Sequence, residues 1–542
     1  MIRWMAWRLH KRGLLGFSVG GFLISVLYGS AFLQAAGTTA ASRAAFGRTV
    51  DLAAKQFAFI IPVPVHPETL GGYEQYKWLA GAVIMMMIWA ALAGITVGRA
   101  EEDRGITEQW LAGGVSRTRL LLARSAAFGL VLLVACFASV LGISAIAPSV
   151  HQDPNLAGEL GKGIAMWAGL FACYTLALLI SQLPAERGTA TALGVGAPVL
   201  LLLVNGIADT IDSASGIGVI SPFHWMEKTS SAAPGGTFDG GAILGLAAAS
   251  ALLLGAGMLA FQRRDVGSGL IGWGRRQGAA VREASRNLLL RQPFSEGLWE
   301  QRVGLLVWTG STLLLAYLLV SVTKSTADAL LADPKVAAVF QQAIGGSIYT
   351  ALLGFIWFGV ALLLLAGYSV VQVSRWASQD QEGRVEMLLS APISRSRVIV
   401  DRALEFAIAS LVIVAGGYIG VAAGLPASGL KIDSGQILTA SFLLWPFALA
   451  FGGLGVALAS RWPRVAVPVL AAFAAVEYFL GDLAPLFKLP GWTANLSVFH
   501  LYGNPLAGSV SWGPGLWMVL VFLAGFALAL LLMRQRDVAS AT

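Results

Sequence analysis

GITEQWLAGGVSRTRLLLAR, Gly105–Arg124, and GRVEMLLSAPISRSRVIVDR, Gly383–Arg402, are two versions of one segment, 278 positions apart. Gly105/Gly383, Glu108/Glu386, Leu111/Leu389, Ser116/Ser394, Arg117/Arg395, Arg119/Arg397 and Arg124/Arg402 coincide without a gap, and Val115/Ile393 and Thr118/Ser396 are near matches. Each copy begins where a long apolar run ends, and each leads into another. A chain that keeps one polar turn twice between such runs reads as a duplicated membrane protein.

Outward from that segment the composition agrees. With 56% hydrophobic residues, 12% charged residues and a mean hydropathy of +0.72, the chain is too apolar to clothe a water-soluble fold of its length. A bilayer core of about 30 Å needs roughly 20 apolar residues at about 1.5 Å rise each. Twelve runs of that order are predicted, at 14–36, 77–98, 120–146, 163–183, 190–208, 241–261, 304–323, 347–372, 400–424, 437–459, 465–484 and 515–533. Backbone groups facing lipid must pair within their own segment or in a closed barrel, and long unalternating runs pair as helices. The expected fold is an all-α integral membrane protein of twelve transmembrane helices in two six-helix repeats.

Basic residues give the expected orientation. Arg3, Arg8, Lys11 and Arg12 precede span 1, and Arg263, Arg264, Arg275, Arg276, Arg282, Arg286, Arg291 and Arg302 lie between spans 6 and 7. The positive-inside rule puts both stretches, both termini and both copied segments in the cytoplasm. A net charge of +8 then reads as contact with anionic headgroups of the bilayer rather than with nucleic acid, because no aromatic-interleaved basic patch sits on a soluble domain. The first apolar run is longer than the core of a signal peptide and eleven more follow, so it reads as a span. Cys136 and Cys173 fall inside spans and imply neither a disulfide framework nor a metal site.

Other landmarks repeat in the same order. Phe261–Val266 (FQRRDV) answers Met533–Val538 (MRQRDV), Phe223-His224 answers Phe499-His500, and Gly13-Leu14-Leu15 answers Gly304-Leu305-Leu306. The expected division is a first six-span half at 1–265, a cytoplasmic linker with a candidate interface helix at 266–303, and a second six-span half at 304–542. The linker's end and the N-terminus both mix Trp with basic residues, as helices in the headgroup plane or anchored loops do. Short re-entrant or interfacial helices are expected within 215–234 and 490–511.

Within each copied segment a Gly opens and Gly114 or Pro392 closes about two helical turns, Ile106–Gly113 and Arg384–Ala391. Acidic residues crowd the opening end: Glu101, Glu102 and Asp103 in one copy, Asp380 and Glu382 in the other, where a helix N-terminus favours negative charge. Glu108 and Leu111, like Glu386 and Leu389, are three apart and share a face. A short stiff charged helix between two spans suits docking of a soluble partner. The plainer reading is a topology-setting turn that the duplication preserved.

The order Glu/Asp, Gly, two residues, Glu, two residues, Leu, then Val/Ile-Ser-Arg between the second and third spans resembles the coupling segment of ABC-2-type permeases. The Arg-Arg-Asp after span 6 is similar to that family too. The resemblance covers both halves, in the fused twelve-span form similar to bacterial exporters of polyketide-type antibiotics. It implies a multi-pass protein of the bacterial cell (inner) membrane that moves a lipophilic, drug-like small molecule out of the cell. It also implies a separate ABC ATPase subunit, in two copies on the two coupling helices, holding the ATP and Mg. The chain itself shows no GxxxxGK[ST] loop and no expected cofactor, catalytic residue or metal ligand set. Contact with the ATPase is expected from Glu101, Glu102, Gly105, Glu108, Leu111, Arg117, Asp380, Glu382, Gly383, Glu386, Leu389 and Arg395; Arg104 stands where the other copy has Glu382, which makes the two surfaces unequal.

For the cargo pathway the candidates are the intramembrane Trp89, Trp167, Trp357, Phe358 and Tyr368, which suit flat apolar compounds but pack helices equally well, and Glu477, the deepest charge. The main rival is a proton-coupled secondary transporter of the major facilitator kind: Glu102-Asp103-Arg104-Gly105 faintly resembles its Asp-Arg-x-Gly turn, without the basic residues that follow. A membrane-embedded enzyme would need a polar cluster at one interface that the sequence does not offer.

Overall fold

The computed structural model describes residues 2–57, 62–185, 187–210, 212–271, 292–331, 347–381, 383–487, 490–506 and 512–536. Among these residues there is no strand, and twelve helices are long and apolar enough to cross a membrane. The protein is an all-α, twelve-span membrane protein. Its chain divides into two compact units, Met1–Ala280 and Val281–Thr542.

The first unit holds spans 1 to 6: Trp7–Ala36, Leu70–Ala100, Arg117–Val150, Leu156–Ile180, Arg187–Asp209 and Gly240–Arg263. The second holds spans 7 to 12: Arg302–Asp328, Ile348–Asp380, Arg395–Ser428, Ser434–Arg461, Pro463–Gly481 and Trp512–Arg534. Both units pack alike. Span 1 lies along span 3 and span 7 along span 9; spans 4 and 10 are central, touching spans 2, 3 and 6 or spans 8, 9 and 12. Spans 4 and 10 are accordingly the most buried of their units, while spans 5, 6, 11 and 12 keep mostly exposed apolar faces such as Leu244, Leu252, Leu516 and Leu520. Those faces are the lipid-facing surface that the composition requires.

Small residues let the central helices approach. Gly453 of span 10 and Gly525 of span 12 meet backbone to backbone: a Cβ on Gly525 would lie 2.5 Å from the Gly453 carbonyl carbon. In lipid there is no hydrophobic gain from joining two helices, so close van der Waals contact of this kind carries the association.

A feature invisible in the sequence is also duplicated. Spans 2 and 8 each contain a π turn near the same register, Gln75–Leu79 and Gly354–Phe358. Such turns widen the helix and leave the ladder locally irregular.

Two expectations about the joints are resolved differently. Ile2–Ser30 is one continuous helix, so the Trp- and Arg-rich N-terminus extends span 1 rather than forming a separate element. Before span 7 a short helix does form, Pro293–Glu300, where the Arg302 guanidinium lies 4.3 Å from the Trp299 ring centre; residues 272–291 lie outside the described residues. At the other end of the spans, the short helices Pro222–Glu227 and Val498–Tyr502 occupy the segments where such elements are expected. Phe223 and Val498 are buried within them.

Candidate functional site

Both copied segments fold the same way, for reasons legible residue by residue. Gly105 and Gly383 are the N-caps of two short helices, Ile106–Ala112 and Arg384–Ser390, with φ of +68° and +73°. That left-handed conformation is open to glycine and strained for other residues. After each short helix the chain turns again, and Ser116 and Ser394 cap the long helices that follow: each hydroxyl accepts the backbone N–H three residues on, from Arg119 at 3.3 Å and Arg397 at 3.2 Å. The short helix is thus pinned at both ends.

The arginine after each capping serine turns away from solvent. Arg117 donates to the carbonyls of Phe261 at 2.8 Å and Arg264 at 2.7 Å; Arg395 donates to those of Met533 at 3.2 Å and Arg536 at 2.7 Å. Phe261 and Met533 lie in the last turns of spans 6 and 12, and Arg264 and Arg536 just beyond them, where no intrahelical N–H can satisfy the carbonyls. A cation at a helix C-terminus is also favoured by the dipole. Each copied segment is therefore tied to the sixth helix of its own half.

A second tie runs the other way. Arg264, just past span 6, reaches back to the acid after span 2, donating to Glu102 at 2.5 and 2.7 Å and to Gln182 Oε1 at 2.9 Å. Arg99 approaches the same carboxylate at 3.5 Å and donates to the Ser268 carbonyl at 2.8 Å, and Arg124 pairs with Glu101. In the second half Arg536 pairs with Asp380 at 2.5 Å. Asp380 stands 278 positions after Glu102, so the pairing itself is duplicated. Charges this deeply buried hold their state only when paired and hydrogen-bonded, and here each carboxylate holds the end of span 2 or 8 to the end of span 6 or 12.

Other side chains of the two segments remain outward. Glu108 and Glu386 are exposed, Leu111 and Leu389 half-buried. The neighbours differ: Gln109 is exposed while Trp110 packs on the cluster of Ala123, Ala127 and Val131; their counterparts Met387 and Leu388 are 65% and 38% exposed. Arg384 lies 3.7 Å from Glu300, which also takes Arg375 at 3.2 Å, so the helix Pro293–Glu300 is tied to span 8 and to the second segment. Of the expected contact residues, Glu101, Glu102, Asp380, Arg117 and Arg395 are engaged inside their units. Glu382 lies outside the described residues.

Residues 4–262 and 290–534 match the family model described as "Multidrug efflux system permease Rv1217c, C-terminal domain". The chain belongs to this family. It is also 29% identical over 493 residues, 88% of this chain and 84% of the relative, to the "Multidrug efflux system permease protein Rv1217c" of Mycobacterium tuberculosis (strain ATCC 25618 / H37Rv). Polyketide specificity is not part of what these matches carry; the efflux-permease family is.

In this permease the expected pathway residues lie inside the units. Trp89 stacks on Phe17 at 4.3 Å between ring centres and meets Phe128 edge-on at 5.2 Å. Trp167 donates to the Gly129 carbonyl at 2.9 Å, and Tyr368 stacks on Phe406 at 5.7 Å. Trp357 and Phe358 are fully buried in the π turn of span 8. Glu477 serves its own surroundings, since its Oε2 accepts the Val498 N–H at 2.7 Å at the start of Val498–Tyr502. What sequence reasoning missed was the joining of the two repeated motifs. The signal was present, since an acid at 102 and 380 and an arginine at 264 and 536 are repeated together.

Proposed function

We propose that this chain is the membrane-spanning subunit of an ATP-driven exporter of lipophilic, drug-like small molecules. Its ATPase subunits dock in the cytoplasm on Ile106–Ala112 and Arg384–Ser390, with Glu108, Glu386, Leu111 and Leu389 forming the core of the contact. Efflux is what the relative's name states and what the family describes. The ATPase contact is inferred from the shape of the two segments.

The observation that carries the reading is the double tie. Each short helix presents an exposed glutamate outward and is bound inward, by Arg117 or Arg395 and by the Glu102–Arg264 or Asp380–Arg536 pair, to the end of its sixth span. A push on a helix held this way is not absorbed by a flexible loop; it moves spans 2, 3 and 6, or 8, 9 and 12, as a group. A two-state change of the bundle driven by closure of a nucleotide-bound pair needs that kind of lever. Engagement of Glu101, Glu102 and Asp380 with buried arginines makes them positioning residues for the lever.

Affinity purification from native membranes tests the proposal. A vanadate-sensitive ATPase is expected to accompany the unaltered chain and to be lost with Glu108→Lys plus Glu386→Lys, while the variant remains monodisperse. Inverted vesicles are expected to accumulate cargo with MgATP and to keep doing so when a protonophore is added. Cargo movement by the purified chain alone in liposomes, driven by a proton gradient, would overturn the reading in favour of secondary transport.

A further inference from the structure

At the end of the first unit opposite the copied segment lies a cavity of about 280 Å³, close to the lower bound for small-molecule sites. Val83 of span 2 and Leu202 of span 5 give it apolar walls, and Lys162, Asn205, Asp209 and Glu227 give it polar ones. The polar groups are organised around one amide. Asn205 Nδ2 donates both to Asp209 Oδ2 at 2.8 Å and to Glu227 Oε2 at 3.0 Å. That fixes the amide's orientation, because the opposite flip would set its oxygen against two carboxylates. Asn205 Oδ1 is consequently committed to the other side, where it accepts no hydrogen bond although the residue is 3% exposed. Lys162 spends its ammonium on the Thr229 carbonyl at 2.8 Å.

A buried carbonyl without a donor costs free energy, and here it sits beside two acidic groups. The set's own cation, Lys162, is held on the Thr229 carbonyl and does not donate to Asn205 Oδ1, which leaves that oxygen for an N–H donor from outside. We propose that this cavity binds a protonated amine carried on an apolar body, its N–H groups taken by Asn205 Oδ1 and by the Asp209 and Glu227 carboxylates. A bare metal ion is a poorer occupant, since much of the lining is apolar side chain. Its role as a cargo site rests on the export reading; the binding does not.

The second unit has no equivalent among its described residues. Trp167 and Trp445, 278 apart, donate alike to the carbonyls of Gly129 and Ala407. The same register puts Ala440 where span 4 has Lys162. The Tyr502 hydroxyl donates to the Ala440 carbonyl at 3.0 Å, so an aromatic ring reaches where the first unit is open.

Full-length protein in nanodiscs titrated at pH 8 with dansylcadaverine, a primary amine, and with its neutral N-acetyl derivative tests the site. The amine is expected to bind at least ~10-fold more tightly, the order of one charge-assisted contact. Asp209→Asn plus Glu227→Gln is expected to reduce it to the amide's affinity. Equal binding of the two probes to the unaltered protein, or an undiminished preference in the variant, would overturn the proposal. The first comparison needs no variant and so does not depend on one folding. Equal binding while MgATP still drives export would remove this site and leave the export reading standing; a clear amine preference would support the site even if transport proved independent of nucleotide.

Discussion

Glu102 in the first unit and Asp380 in the second hold the same place, yet their surroundings are unlike. Glu102 is gripped by Arg264 and approached by Arg99, with Glu101–Arg124 alongside. Around Asp380 the partner is Arg536; Ala377 stands where the first unit has Arg99, and Gln379 where it has Glu101. The second unit places its extra charges elsewhere, on Arg375, Arg384 and Glu300 around the helix Pro293–Glu300. Both units thus keep the caps, the arginine on the terminal carbonyls and one ion pair, and differ in the further charges placed around them. The retained parts are a lever's hinges; the divergent parts decide what each lever meets. The outward faces differ to match, with Gln109 opposite Met387 and the tucked Trp110 opposite the partly exposed Leu388.

The sharpest way to break this comparison is to remove each arginine. Arg264→Ala leaves the buried Glu102 with the Gly267 N–H and a 3.5 Å approach from Arg99, and without its closest cation. Loss of one partner from a buried pair costs about 3–5 kcal/mol. Arg536 is the more accessible, at 17% against 1% for the Arg264 side chain, and Arg536→Ala is expected to cost about 1–2 kcal/mol, in the range of a hydrogen bond to a charged group. Thermal unfolding in detergent micelles measures both. Equal losses would mean that the denser first cluster adds nothing.

A smaller effect distinguishes the other ends of the units. Burial pushes the Glu227 carboxyl up to about 7, and nearby Asp209 adds to the rise, while Asn205 and Lys162 oppose it; His224 also faces Asp209. A carboxyl raised in the folded state favours folding fully below its unfolded value near 4.5, and that contribution is lost as pH rises towards 7. Stability is therefore expected to fall across that window by up to about 1.4 kcal/mol per pH unit for one proton. Glu227→Gln is expected to flatten that slope. The second unit has Ala440 and Tyr502 in this region and supplies no matching carboxyl among its described residues. An unchanged slope in the variant would show that Glu227 does not titrate there.

Much of this was legible in the chain. The twelve spans, the glycine-opened short helices and the repeated landmarks follow from apolar length, turn chemistry and internal repetition, because those are local properties. The expected ends of the short helices, Gly113 and Ala391, overshoot the observed Ala112 and Ser390 by one residue. Partnership was not legible. Glu102 and Arg264 are 162 residues apart, and an acid near a helix start reads equally as a dipole contact, a docking group or half of an ion pair. Glu477 shows the same limit: depth in a span marks a costly charge, but only the fold reveals that the Val498 N–H meets it. The N-terminal Trp-Arg stretch misled because interfacial composition is the same whether a helix lies flat or continues upward.

The smallest effect bears on the claim that the hinges are shared. Gly105 and Gly383 have φ of +68° and +73°. No atom lies within 4 Å of where a Cβ on Gly105 would stand, and the nearest to one on Gly383 is Glu386 Oε2 at 3.9 Å. Space does not oppose a side chain at either site; backbone conformation alone does. Gly105→Ala and Gly383→Ala are each expected to cost about 1–2 kcal/mol, the left-handed penalty of an ordinary residue, and to cost the same within about 0.5 kcal/mol. Placing Asn instead, which tolerates that region, is expected to recover part of the loss at both. Unfolding measurements on the four variants check it. A large loss at one glycine and none at the other would mean that the two turns are held by their dissimilar surroundings, and the common frame of caps and arginines would then have to give up its role as the shared hinge.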